Sequence, residues 1–396
     1  MAQAVDLANA VARFGVDARR HLHRHPELSF QEKETMTFVV AHLKEMGYEP
    51  QAYVGGFGVK LVIRGGRPGR TVLLRADMDA LPIKEETGLP FASQHDGVMH
   101  ACGHDLHTAT LLATARALKE IAPALHGNVV LCFQPAEETP PGGAQAMLRD
   151  GLLEHPQVDA AFGLHIDPFL PVGRLAFLAG PRNAASDSFE LKIIGRGGHG
   201  AQPHRSVDPI LTACQTVVAL QAVHSRQVDP FDPLVVTIGA FHGGTKHNII
   251  PESVTLQGTV RTHSDALWNQ VPELLERTVA GVTSAYGARY QLDYRRGYPV
   301  LINDAAMAAL ATEAAVAAIG ADQVDPAKPG MGGEDFAYIA RAVPACFGSL
   351  GVAPADRPLE QCYPVHHPRL LVADEGALPV GVAYYLSLVQ RYLSGE

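Results

Sequence analysis

The chain has 396 residues, of which 47% are hydrophobic and 18% are charged, and its formal net charge at pH 7 is −9. This acidic balance offers no phosphate-binding surface, so we expect no nucleic-acid partner. No apolar run reaches 18 residues, so we expect no membrane span. Single cores rarely grow beyond roughly 250–300 residues, which predicts two domains. The five cysteines are scattered and odd in number, so we expect free thiols and a cytoplasmic protein.

The first part of the chain alternates helical and strand patterns. An amphipathic pattern at the N-terminus predicts a helix. The spacing of Ser29 and Glu32 is that of a capping box, which predicts a second helix that runs to about Met46. Fully apolar strands between helices favour an α/β fold with a mostly parallel sheet covered on both faces. Near-continuous apolar runs predict its strands at 58–65, 70–77, 128–138 and 158–166.

The pattern changes near residue 185. From there to about 296 the predicted order is β-α-β-β-α-β, the split ferredoxin-like unit, and its first strand has polar alternation. Helices and strands alternate again afterwards. We therefore predict a discontinuous catalytic domain of residues 1–185 and 297–396, with an inserted α+β domain at 186–296.

The segment Met99–Ala109 concentrates metal-coordinating side chains: three histidines, a cysteine and an aspartate. Cys102 and His104 stand one residue apart, and Gly103 permits the tight backbone that lets both reach one ion. Thiolate and imidazole suit zinc and similar metals. The alternative is a buried free cysteine beside residues that cap a helix.

Further polar groups stand where apolar strands are predicted to end, and such ends meet at one edge of a parallel sheet. Of the adjacent Glu137 and Glu138, one could bind metal while the other takes a proton from water; the alternative is a solvated acidic turn. His165 could instead be a satisfied core histidine. Five donors would exceed one tetrahedral zinc and suit a two-metal site: Cys102, His104, Glu138, His165 and His366.

The stretch "RADMDALPI" closes another apolar strand with Asp77 and Asp79. Either aspartate could hydrogen-bond a ligand histidine or fix a loop beside the metal site. The alternative is an ordinary acidic turn before Pro82.

Residues 195–200 match the G-x-G-x-x-G pattern of dinucleotide-binding loops. The context is wrong, because the match lies inside the ferredoxin-like pattern and no acidic residue follows about twenty positions later. We interpret it as a glycine-rich turn that presents His199. The chain also lacks the G-x-S-x-G and P-loop motifs of serine hydrolases and NTPases.

Several long motifs in fixed order resemble the amidohydrolase branch of the M20 metallopeptidase family, which includes hippurate hydrolases and N-acyl-amino-acid amidohydrolases. The match covers nearly the whole chain. It is carried by "RRHLHRHPELSFQE", "RADMDALPI", "MHACGHDLHTA", "FQPAEE", "GLHI", "GRGGHGAQPH", "HNIIPESVTLQGTVRT", "GGEDF" and "VHHPRL".

The resemblance implies a zinc-peptidase-like catalytic domain with an inserted dimerisation and lid domain, and two divalent ions in each subunit of a homodimer or larger homo-oligomer. Glu137 would be the general acid/base. Zinc or manganese is expected, and the mixed donors also suit cobalt or nickel. His366 is preferred to His367 because the branch usually has its ligand two positions before the proline. The implied ligands are Cys102, His104, Glu138, His165 and His366.

Further roles follow from the same resemblance. His199 would stabilise the oxyanion across the dimer, and Asn248 and Arg261 would lie near the substrate carboxylate. Asp77 is expected to support the metal site. The chain has Arg75 where other M20 branches have the histidine of a His-x-Asp motif, a departure typical of this branch.

We therefore predict a metal-dependent amidohydrolase that cleaves N-acyl-L-amino acids, either hippurate-like or N-acetylated. A dipeptidase or an N-acetyl-diaminopimelate deacetylase would use the same centre. From other classes, the chain could be a catalytically inactive binding protein or, on its glycine pattern, a nucleotide-binding oxidoreductase. Measurements of metal content and turnover distinguish an inactive binding protein from an enzyme. A measurement of NAD binding tests the oxidoreductase alternative.

Overall fold

The computed structural model describes residues 2–394, which divide into two compact units. The first unit consists of residues up to 180 together with 302–328 and 335–394, and the second consists of 181–301 and 329–334. Within the described range, no helix combines the length and the apolar character that crossing a membrane requires.

The short segment 329–334 belongs to the second unit, although the sequence analysis placed it in the catalytic domain. Backbone hydrogen bonds explain this. The amide of Gly330 donates to the carbonyl of Arg182 at 2.9 Å, and the amide of Ala184 donates to the carbonyl of Gly330 at 3.1 Å. Such backbone pairing leaves no hydrophobic pattern in the sequence.

The α-helices of the described residues are α1 (Ala2–Arg24), α2 (Lys33–Glu45), α3 (His104–Ile121), α4 (Gly143–Arg149), α5 (Pro209–Ala222), α6 (Asp265–Ala285), α7 (Ala305–Ile319), α8 (Phe336–Ala342) and α9 (Asp374–Ser394). The strands are β1 (Gln51–Val54), β2 (Gly58–Arg64), β3 (Arg67–Asp77), β4 (His126–Gln134), β5 (Ala160–Pro171), β6 (Leu175–Phe177), β7 (Gly180–Asn183), β8 (Ala185–Ile194), β9 (Gly198–His199), β10 (Leu234–Gly243), β11 (Ile249–Ile250), β12 (Ser253–Thr262), β13 (Arg289–Tyr298), β14 (Leu301–Asn303), β15 (Val324–Pro326) and β16 (Ala345–Ala353).

The first unit is built on a sheet with the strand order β1-β2-β4-β3-β5-β16-β6-β15. Its centre is parallel: β3 pairs in parallel with β4 and with β5, and β5 pairs in parallel with β16. The central strands β3, β4, β5 and β16 are almost entirely buried where they pair, which explains their continuous apolar runs. Buried residues of α1, α3, α7 and α9 form one hydrophobic core with this sheet.

The sequence predicts the end of α2 correctly, but the predicted capping box at its start is wrong. The helix ends at Glu45 with Met46 as its C-cap, but no side chain of the expected capping box bonds to it. Glu27 caps it instead, because its carboxylate accepts from the amides of Glu34 at 3.1 Å and Thr35 at 2.7 Å. The side chains of Ser29 and Glu32 are therefore free to bond to other segments.

The second unit contains a four-stranded antiparallel sheet in the order β10-β12-β8-β13. The chain order of its main elements is β8-α5-β10-β12-α6-β13, which is the order that the sequence predicts. A separate two-stranded sheet pairs β9 with β11 in antiparallel orientation, so that His199 lies opposite Ile249. Alternate residues of β8 are buried, and they pack against α5 and α6 in a second core.

Candidate metal centre

Polar side chains of the first unit gather at the edge of the sheet where β3 and β4 end. Asp77 is the last residue of β3, and β4 ends at Gln134, shortly before Glu137. His165 lies inside β5, not at its end as predicted, because β16 continues to pair with β5 up to Pro171. It still lies at this edge, since the pairing of β3 with β5 stops at Gly163.

The loop before α3 brings Cys102 and His104 to the same edge. Gly103 between them has a φ of 80°, a left-handed conformation that favours glycine. A Cβ atom there would lie 2.4 Å from Cδ1 of Ile166. Glycine therefore satisfies both the turn and the close packing against β5.

All five predicted ligands come together in the first unit. The Sγ atom of Cys102 lies 3.3 Å from Nε2 of His165. An oxygen of Glu138 lies 3.8 Å from Nε2 of His104 and 3.2 Å from Nε2 of His366. Three overlapping groups of donor atoms have all members within 4.8 Å of one another: Cys102/His104/His165, Cys102/Glu138/His366 and His104/Glu137/Glu138.

The two adjacent histidines near residue 366 have different environments. The amide of His366 donates to the carbonyl of Ala101 at 2.7 Å, and φ at His366 is 64°. These features direct its ring to Glu138. The ring of His367 instead stacks on Tyr363 with a centroid distance of 4.2 Å.

The donor set fits divalent cations. Among the described residues, the buried Nε2 atom of His104 has no hydrogen-bond partner, while its Nδ1 atom lies 3.1 Å from Asp79. Burial lowers the pKa of His104, but the carboxylates of Asp77, Asp79 and Glu138 outweigh it and raise the pKa to about 10. The surrounding carboxylates therefore favour a positive charge at this position, which either a protonated ring or a bound metal ion would supply.

Burial also shifts the pKa values of two other proposed donors, Cys102 and His165. Burial, and then the charge of Glu138, raises the pKa of the Cys102 thiol well above its usual range. Burial lowers the pKa of His165 well below its usual value, which keeps this ring neutral. Metal ligands must be thiolate and neutral imidazole, so binding of a cation would release protons from Cys102 and His104.

Glu137 is buried beside these donors, and one of its oxygens belongs to the group with His104 and Glu138. The backbone on each side of Glu137 is fixed by a hydrogen bond to a carboxylate from another segment. The amide of Ala136 donates to Glu32 at 2.7 Å, and the amide of Glu138 donates to Asp79 at 2.9 Å. Adjacent carboxylates can therefore serve one site in different ways.

The sequence allows either Asp77 or Asp79 to support a ligand histidine, and Asp77 is the predicted one. In the structure, Asp79 contacts His104, whereas Asp77 accepts from Arg75 at 2.6 Å and lies 2.6 Å from Nδ1 of His107. The sequence analysis assigned no role to His107. Its position three residues after His104 could have indicated one, because this spacing places both side chains on neighbouring turns of the same helix face.

The remaining predicted site residues lie in the second unit. His199 and Asn248 are exposed, and the carbonyl of Asn248 accepts from the amide of Gly200 at 2.9 Å next to the paired strands β9 and β11. Arg261 is half-buried in β12, and burial lowers its pKa, partly offset by the charge of Asp187. Its Nη1 atom donates to the carbonyl of Val260 at 3.3 Å.

Comparison with known proteins adds independent findings. The sequence model of peptidase family M20/M25/M40 matches residues 73–391. The chain is 46% identical over 285 residues to the N-acyl-L-amino acid amidohydrolase of Geobacillus stearothermophilus, covering 72% of this chain and 76% of the relative. It is 41% identical over 371 residues to the N-acetyl-L-cysteine deacetylase of Bacillus subtilis (strain 168), covering 94% and 86%.

Among solved structures, the chain resembles a Bacillus subtilis protein, YXEP, described as a dinuclear metal binding peptidase. The TM-score is 0.84 and the identity 37%, and the match covers 98% of this chain and 99% of that one.

Proposed function

The chain belongs to peptidase family M20/M25/M40, and on that premise we propose that it hydrolyses the amide bond of N-acyl amino acids at a centre of two divalent metal ions. Membership confirms the family and fold class predicted from the sequence, and it makes the protein a hydrolase of amide bonds. The substrate class, the number of ions and the residue roles that follow are proposals.

One observation carries the proposal. Five donor side chains from four separate segments of the first unit meet beside a buried carboxylate, Glu137. Such a convergence has little structural value, because crowding carboxylates and imidazoles without a cation costs free energy. The proposed ligands are Cys102, His104, Glu138, His165 and His366, and zinc and manganese are the metals that we expect, with cobalt or nickel as further candidates.

The ions would supply Lewis acidity to the acyl carbonyl and lower the pKa of the attacking water. Glu137 accepts the proton of that water and later delivers it to the amine nitrogen as the C–N bond breaks. Burial of Glu137 beside the ligands keeps its carboxylate at the site of proton transfer. The products are a carboxylic acid and a free amino acid.

The second unit is proposed to bind the substrate. His199 donates a hydrogen bond to the oxyanion that develops on the acyl carbonyl, and Asn248 and Arg261 bind the substrate carboxylate. The half-buried guanidinium of Arg261 supports this role, because a partly desolvated cation binds a carboxylate more strongly than an exposed one.

A homodimer is proposed through the same unit. Strand β10 is an edge strand, and Val235 and Phe241 on it are exposed. Helix α5 exposes Leu211 and Val218, the latter with 68% of its surface accessible. An open edge beside exposed apolar side chains is typical of a surface that a second copy covers.

The test is amine release from a panel of N-acetyl, N-benzoyl and longer N-acyl amino acids, with dipeptides included. Each substrate is run on chelated protein and on protein reloaded with zinc or manganese. We expect hydrolysis of acyl amino acids that chelation abolishes and reloading restores. Activity on dipeptides alone would replace the proposal with a peptidase, and stoichiometric metal without turnover of any substrate would contradict it.

A further inference from the structure

His107 lies in the first turns of α3, is buried, and uses both of its ring nitrogens. The backbone amide of Ile166 donates to Nε2 at 2.9 Å. Since Nε2 is an acceptor there, the proton of the neutral ring lies on Nδ1, which donates to Asp77 at 2.6 Å. The tautomer of His107 is thus fixed by its two neighbours.

The hydrogen bond from Ile166 to His107 replaces a bond that a neighbouring strand would otherwise make. Strand β3 pairs with β5 only as far as Gly163, so beyond that point β5 has no strand neighbour on the β3 side. His107 supplies an acceptor to the backbone there. On the other side, β5 remains paired with β16, where His165 lies opposite Ser349.

The backbone of Ile166 is also linked to a proposed metal ligand. Nδ1 of His165 donates to the carbonyl of Ile166 at 2.8 Å, which leaves its Nε2 atom directed at Cys102. The amide of Ile166 is held by His107, and its carbonyl holds the ring of His165. The orientation of the ligand therefore depends on the position of one residue's backbone.

We propose that His107, held by Asp77, is a positioning residue that orients His165 toward the metal centre without binding metal itself. The inference rests on the proposed function, because it requires the centre to bind metal. Asp77, His104 and His107 lie close enough together to suggest a shared ion. Both nitrogens of His107 are already bonded, however, so it offers no lone pair to a cation.

The two aspartates of "RADMDALPI" then make their hydrogen bonds to different histidines. Asp79 contacts His104 directly at 3.1 Å, whereas Asp77 reaches His165 through His107 and the backbone of Ile166. Loss of either support should disturb the ligand that it serves. Substitution of such supporting groups typically weakens metal affinity by about 10–100-fold.

The experiment compares His107→Leu with His107→Gln in the full chain. Leucine fills space but removes both hydrogen bonds, whereas the amide of glutamine carries an acceptor for Ile166 and a donor for Asp77. Zinc dissociation constants are measured by competition with a chromophoric chelator, and the cobalt(II)-loaded proteins are compared by their visible absorption. We expect about 10–100-fold weaker binding of one ion and an altered cobalt spectrum in His107→Leu, and recovery of most of both in His107→Gln.

Thr114→Val is the matched control for buried changes in α3. Thr114 is also buried, and its hydroxyl donates to the carbonyl of Thr110, away from the ligands. It should lower stability without changing zinc affinity or the cobalt spectrum. Parental affinity and an unchanged spectrum in folded His107→Leu would overturn the inference, and so would loss of one ion from His107→Gln together with His107→Leu. A parent protein that binds no metal would instead overturn the proposed function.

Discussion

The proposed functional residues of the two units are held in contrasting ways. In the first unit, Cys102 and His104 are buried, and hydrogen bonds or backbone turns fix the donors before any metal binds. In the second, His199 and Asn248 are exposed at a small sheet of two two-residue strands. We infer that metal affinity belongs to the first unit, whereas the second acts on the substrate. Substitutions in each unit should then change different measured quantities.

The largest effect is expected from Glu137→Gln, which keeps the shape of the side chain but removes the base. We expect kcat to fall by about 10²–10⁴-fold or more, with both ions retained. The measurement is turnover of the best acyl amino acid alongside metal content. Glu154→Gln, at an exposed carboxylate of the same unit, is the control and should leave turnover unchanged. Near-normal activity of Glu137→Gln would refute its role.

His199→Ala tests the second unit. Removal of one donor to a developing oxyanion typically lowers kcat by about 10²–10³-fold. Because His199 is not one of the proposed ligands, zinc affinity should stay at the parental value. The control is His204→Ala, at an exposed histidine five residues later. Loss of metal from His199→Ala would break the division between the two units.

The adjacent pair His366 and His367 tests the first unit. His366→Ala should weaken the binding of one ion by at least about 10-fold, because it removes a donor that lies 3.2 Å from Glu138. His367→Ala should remove only a ring stacked on Tyr363 and leave metal content unchanged. Both variants are compared by zinc titration. The reverse pattern would move the ligand to His367.

The smallest effect concerns stability and pH. Burial raises the pKa of Glu32 from 4.5 to about 7, so the folded protein keeps a proton between these values that the unfolded chain has lost. Stability should therefore decrease as pH rises through this window, by on the order of 2 kcal/mol. Glu32→Gln should flatten the dependence.

Urea unfolding of the metal-free protein at pH 5 and pH 8 measures this difference. Glu34→Gln, at an exposed position two residues later in α2, is the control and should leave the pH dependence unchanged. The same pH dependence in Glu32→Gln and the parent would show that Glu32 does not titrate in this range.

Most of the candidate metal centre can be predicted from the sequence because its proposed donors lie close to regular elements. Cys102 and His104 flank a glycine at the start of a helix, and Glu137 and Glu138 follow an apolar strand. Periodicity and strand ends are local signals, so they are visible without a structure. The order of elements in the inserted domain is visible for the same reason.

The supporting residues are less visible. Ser29 and Glu32 have the spacing of a capping box, but tertiary contacts with Asp79 and Ala136 prevail over the local bonds. The choice between Asp77 and Asp79 depends on which histidine of α3 each aspartate contacts, His107 for Asp77 and His104 for Asp79. Hydrogen bonds between distant segments leave no periodic pattern, so the sequence cannot reveal them.

The order of the ligands along the chain has a consequence for biosynthesis. Cys102 through His165 precede the whole second unit, and His366 follows it. During translation the whole second unit is therefore synthesised before the last proposed donor. Domains generally fold as units while the chain emerges. With the proposed ligand set, full metal loading would thus be a late event in maturation, and a chain that stops after residue 301 would carry only four of the five proposed donors.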